Sequence, residues 1–128
     1  MRLQTVNELR RAVVLAAESI PTPPPVIFSD STTARPEAGA FIVAAIRDGR
    51  AAEIATGCVQ EVASLEIGVF APRGGDAELR EIADAIQAAI EAAEITGATI
   101  FPASRALQIG DTASTLAVVL DFPVITYR

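Results

Sequence analysis

Near the start of the chain, apolar residues recur every three or four positions. Val6, Leu9, Val13, Ala16, Ala17 and Ile20 fall on one stripe, which predicts an amphipathic helix over residues 4–19. Thr5 followed by Glu8 has the form of a capping box for its start. The helix must end at "IPTPPP", because proline removes backbone donors and restricts the residue before it. The period then changes. "VIFS" at 26–29 predicts a short strand, and "AFIVAAIR" at 40–47 an almost wholly apolar one, with a polar loop between them. In segment 58–71, Ala63, Leu65, Ile67 and Val69 alternate with Ser64, Glu66 and Gly68, the period of a half-buried antiparallel strand. Segment 48–57 opens with the turn signal Asp-Gly but is too long for a tight hairpin. It is expected to be a connection that projects from the sheet.

"PRGGD" breaks the strand, and a second helix follows from about 77 to 94, with Leu79, Ile82, Ala83, Ile86, Ile90 and Ala93 as its stripe. "TGATIFPA" and "SRALQIG" predict strand segments interrupted by Pro102, "DTAS" a turn, and 115–127 a last strand. On that strand Leu116, Val118, Leu120 and Phe122 face one way. The order is helix, strands, helix, strands. Short turns between strands favour an α+β fold: a single, mostly antiparallel or mixed sheet with two helices packed on one face. With 128 residues, no repeat and no linker, the expectation is one domain over 1–128.

Composition narrows the chemistry. The chain is 51% hydrophobic with no Trp, so the core is built from Ala, Val, Ile and Leu. One cysteine, Cys58, excludes an intramolecular disulfide and fits a reducing cytoplasm. The charged first half of the N-terminal segment is unlike a signal peptide, and no apolar run is long enough for a membrane span. Net charge is −6, and all ten cations are Arg. An acidic chain repels phosphate backbones, which argues against a sequence-reading nucleic-acid module.

"VFAPRGGDAELREIADAI" at 69–86 runs from strand through two glycines into a helix, the layout of a phosphate loop. It lacks the Lys and hydroxyl such a loop needs, and has no G-x-G-x-x-G. Asp76 stands where a phosphate would approach, and is read as the helix cap instead. The absence of His removes the commonest general base and metal ligand and leaves Cys58 without a catalytic partner. Glu78, Glu81, Asp84, Glu91 and Glu94 recur at helical spacing as a solvated face. "DSTTARPE" at 30–37 lacks the calcium-loop pattern. The expectation is a protein that is not an enzyme and uses no cofactor or metal.

The chain resembles the small tail-terminator and tail-completion proteins of long-tailed phages and of phage-derived gene transfer agents. Matching residues are Val69-Phe70-Ala71-Pro72-Arg73-Gly74-Gly75, then Ile82-Ala83-Asp84-Ala85-Ile86, then Gly97, Phe101 and Ala103, and finally Phe122-Pro123 with Tyr127. The resemblance implies an oligomeric ring, hexameric in known terminators. Such a ring caps the head-proximal end of the tail tube, stops tube polymerisation and presents a face to the head connector. The implied partners are further copies of the chain, the tube protein and the connector or stopper protein. DNA passes through without specific binding, and no membrane is involved. The implied location is the virion tail, assembled in the cytoplasm of the bacterial host. The apolar residues on both faces of "AFIVAAIR" agree with burial by a neighbouring subunit, and Arg47, Asp48, Arg50 and Glu53 of the projecting segment are the expected interface or lumen residues. Two alternatives stand: a head-completion or neck protein of the same particle, and a small ligand-binding domain or enzyme using carboxylates with Arg47, Arg73 or Arg105.

Overall fold

The computed structural model describes residues 1–31, 36, 39–109 and 115–127. The stretch 30–37 considered above as a cation loop falls largely outside the described residues, as does the expected turn at 111–114. Eight elements follow one another: α1 (Leu3–Glu18), β1 (Val26–Phe28), β2 (Phe41–Ala55), β3 (Cys58–Pro72), α2 (Asp76–Glu91), β4 (Ala98–Ile100), β5 (Ser104–Ile109) and β6 (Thr115–Tyr127). The strands form one sheet in the order β1-β2-β3-β6, with β4 and β5 end to end along the far edge of β6. β1 pairs parallel to β2, and every other pairing is antiparallel. The α+β expectation, two helices on a mixed sheet, is met.

Strand alternation decides which side faces the helices. Register places Leu65 opposite Phe122, Ile67 opposite Leu120 and Val69 opposite both Val118 and Ile42, all on one face. These residues are buried and form one core with Leu9, Val13, Ala16 and Ala17 of α1 and Leu79, Ile82, Ile86 and Ile90 of α2. Both helical stripes therefore point at the same sheet face, as their spacing requires. Phe122 is fully buried and is the largest such side chain, which places it at the centre of an otherwise aliphatic core.

Two prolines explain why the far edge is split. The edge chain breaks at Pro102 between β4, which ends opposite Val124, and β5, which begins opposite Asp121. Pro123 of β6 lies at that gap. Its carbonyl accepts from the Phe101 N–H at 2.9 Å, so its nitrogen, which has no proton, faces the same break. The missing donor falls where no ladder partner is needed.

Local readings of the helix ends change. α1 starts earlier than expected, with Arg2 at the N-cap and no side-chain cap bond. Thr5 is thereby drawn into the first turn and buried, and Glu8 accepts a bond from the Thr96 hydroxyl at 3.0 Å rather than closing a capping box. Gly75, not Asp76, occupies the N-cap of α2, again with no side-chain cap bond. Asp76 is the first helical residue, where its charge still favours the helix dipole.

Candidate functional site

The largest departure from expectation is segment 48–57. It is strand, not a loop: β2 and β3 run fifteen residues each as one long hairpin, joined by the two-residue turn Thr56–Gly57. Gly57, the second turn residue, sits at φ +76°, a left-handed backbone that glycine adopts without strain. The Asp48-Gly49 pair read as a turn signal is a β-bulge, a register shift between the Arg47–Ser64 and Arg50–Val62 pairs. Gly49 is required there by contact: a Cβ on it would lie 1.6 Å from the Val62 carbonyl oxygen.

Past the Ala52–Gln60 pair the hairpin leaves the body. β6 follows β3 only as far as Gln60, and β1 pairs with β2 only at Ile42–Ala44. Every residue from Arg47 through Gly57 is exposed, including Ile54 at 54%. The result is a two-stranded arm. Its root is held where the Met1 amine lies against the buried Glu61 carboxylate and 3.6 Å from Asp48.

The four residues singled out in sequence spread along this arm. Arg47 stands on the sheet face away from the helices, 3.5 Å from Glu66. Asp48 is in the bulge, Arg50 just past it, and Glu53 near the tip, where its Oε1 is 3.4 Å from the Gly57 N–H. Arg47, Asp48 and Arg50 line one open concavity with Val62, Ala63 and Ser64, and Glu53 is not part of it. Of the three arginines weighed for a metabolite site, Arg105 is on β5 on the helix side, donating to Asp84 at 2.8 Å and to Gln87. Arg73 is exposed in the turn after β3, so the three do not converge.

Two further surfaces stand out, the first anticipated by the apolar residues on both faces of residues 40–47 and the second not. The first is the sheet face opposite the helices, on which no helix lies among the described residues. Phe41 and Phe70 stack there with centroids 4.8 Å apart. Val43 and Val119 flank them, and Val62 and Tyr127 are exposed at 40% and 54%. Glu66 and Asp121 lie directly opposite one another on this face, and Asp121 Oδ1 has no hydrogen-bond partner among the described residues. Like charges so placed repel. The second surface is a slot of about 350 Å³ between α2 and β5–β6, with Leu79, Leu116 and Val118 as floor and Leu107, 69% exposed, as wall. Alternation in β6 signalled the first face, since Ala117 and Val119 are apolar between core positions; nothing local signalled the second.

Among the described residues no group of three or more His, Cys, Asp or Glu could hold a metal ion, and no helix is long and apolar enough to cross a membrane. What the surface offers is uncovered apolar area and an uncovered arm, features of a chain that packs against other chains.

Comparison with known proteins agrees. A search of curated proteins gave no match. Among solved structures, one protein known only by a sequence identifier superposes with a TM-score of 0.68 at 18% identity, covering 94% of each chain. Another, from the virion of a native gene transfer agent particle, superposes with a TM-score of 0.56 at 19% identity, covering 98% of this chain and 95% of that one. At these identities the likeness is one of fold. The family model described as "Tail completion protein gp17" matches residues 8–127. The chain thus belongs to the tail completion protein gp17 family and has a structural role in the virion tail.

Proposed function

We propose that this protein is a tail terminator. Copies of the chain form a ring on the head-proximal end of the tail tube, stop tube polymerisation and join the tail to the head connector. The family match across residues 8–127 carries the reading. The structure adds physical support. A sheet with one face free of helices and a two-stranded arm with neither face covered both gain by contact with neighbours, since an isolated ribbon is marginal in water. Arg47, Asp48, Arg50 and Glu53 lie on that arm and at its root, and we assign them to contacts within the ring or along its lumen. The net charge of −6 suits a conduit through which DNA passes without adhering.

Electron microscopy of particles assembled without this protein tests the reading. Loss of a terminator gives overlong tails that do not join heads. Tails of normal length would overturn the proposal and favour a head-completion or neck role instead.

A further inference from the structure

The arm and the slot have matching needs. Ile54 near the arm tip is a large apolar residue exposed at 54%, and the slot presents an apolar floor of Leu79, Leu116 and Val118. Both are bordered by free strand edges of equal length. Residues 50–55 of β2 pair only with β3, and Ser104–Ile109 of β5 pairs only with β6, so each presents six residues of unpaired edge among the described residues. Charges are complementary too. Arg50, opposite Val62, and Glu53, opposite Val59, stand on opposite faces of the arm, so only one of them can face α2; Glu53 and Arg80 on the slot rim carry opposite charges, and neither forms an ion pair among the described residues. Two copies with a net charge of −6 repel at long range, so contact between them needs such local pairing.

The two surfaces cannot meet within one molecule. The slot floor lies beside Val69, which pairs with Val118, whereas the arm tip is at Cys58 on the same strand. Eleven residues of strand place them roughly 35 Å apart, at opposite ends of the sheet. A surface at one end that fits a surface at the other makes a head-to-tail contact, the type that closes into a ring when the rotation allows.

Resting on the ring reading above, we propose that the occupant of the slot is the arm of a second copy of this chain. Residues 50–55 of one copy lie along the β5 edge of the next, with Ile54 in the slot and Glu53 toward Arg80. Each subunit gives one arm and receives one.

Paired cysteines test this in the full chain, both in assembled tails and in concentrated solution. Ile54→Cys and Leu107→Cys are combined in a Cys58→Ser background and treated with a short bifunctional maleimide. The expected result is a covalent ladder running from dimer to the complete ring, with neither single variant giving a ladder. Glu53→Arg is expected to cut the cross-linked fraction about tenfold, and adding Arg80→Glu to restore it. Rings that form without a ladder would overturn the arm-in-slot contact while leaving the ring reading intact. A dimer from Ile54→Cys alone would overturn it as well, by showing arms meeting tip to tip. Absence of both ladder and rings would sink both proposals.

Discussion

Gly49→Ala is the substitution whose outcome follows most directly from the structure. The new Cβ would fall 1.6 Å from the Val62 carbonyl oxygen and 2.6 Å from its carbon. A comfortable C···O contact is about 3.3 Å, so the strands must part by about 1.7 Å at the bulge. The obstacle is backbone, which has no rotamer to escape into. Ladder bonds stretched that far are lost, and those beside the bulge join Arg47 to Ser64 and Arg50 to Val62. Losing two bonds, each contributing about 0.5–1.5 kcal/mol net, costs about 1–3 kcal/mol. Because no layer covers the arm past this point, the cost falls on the arm. Amide hydrogen exchange read by mass spectrometry should show residues 51–55 and 58–60 exchanging about 5- to 150-fold faster. Core amides at 42–46 and 65–69 should keep their protection. Gly57→Ala is the control: a Cβ there meets nothing within 4 Å, so only the left-handed backbone is strained and only the turn should loosen. Wild-type protection of the arm in Gly49→Ala, or acceleration spread evenly over the sheet, would refute the reasoning.

Two other outcomes are expected. Phe122→Ala removes the largest fully buried side chain and should lower stability by about 3–5 kcal/mol in urea titration; a loss below about 1 kcal/mol would mean that the core is not centred there. Gly68→Ala brings a Cβ within 2.9 Å of Phe70 Cε2, so the ring must swing away and the Phe41–Phe70 stack breaks. Loss of the stack, worth about 0.5–1.5 kcal/mol, is offset by the lower chain entropy of Ala in a strand. Near-UV circular dichroism should change while the urea midpoint moves little, and an unchanged spectrum would count against the stack.

The body of the fold was legible because its signals are local. The 3.6-residue stripes of α1 and α2 and the two-residue alternation of β3 and β6 record burial directly, and the helices and strands lie where those periods place them. Segment 48–57 was misread because the arm has no buried face. Without a core to write alternation into the sequence, "DGRAAEIA" carries no strand period, and Asp48-Gly49 looks like a turn because a bulge uses the same residue types. The helix starts were misread because Arg2 and Gly75, which cap through backbone alone, leave no side-chain signature. Arg47, Asp48, Arg50 and Glu53 could be named from charge and exposure. The slot could not, since Leu79 and Leu107 come together only through the return of the chain along β6.

The strand that borders three others is the sixth in chain order. β6 closes the sheet between β3 and the β4–β5 edge, and its side chains complete the layer beneath both helices. During synthesis, every earlier element must wait on the ribosome without its central neighbour. β3, whose residues 60–72 all pair with β6, is left with a thirteen-residue unpaired edge. Nascent chains stopped before residue 115 should therefore be prime targets for chaperones and proteases, and folding should finish only once residues 115–127 are available, in one late cooperative step.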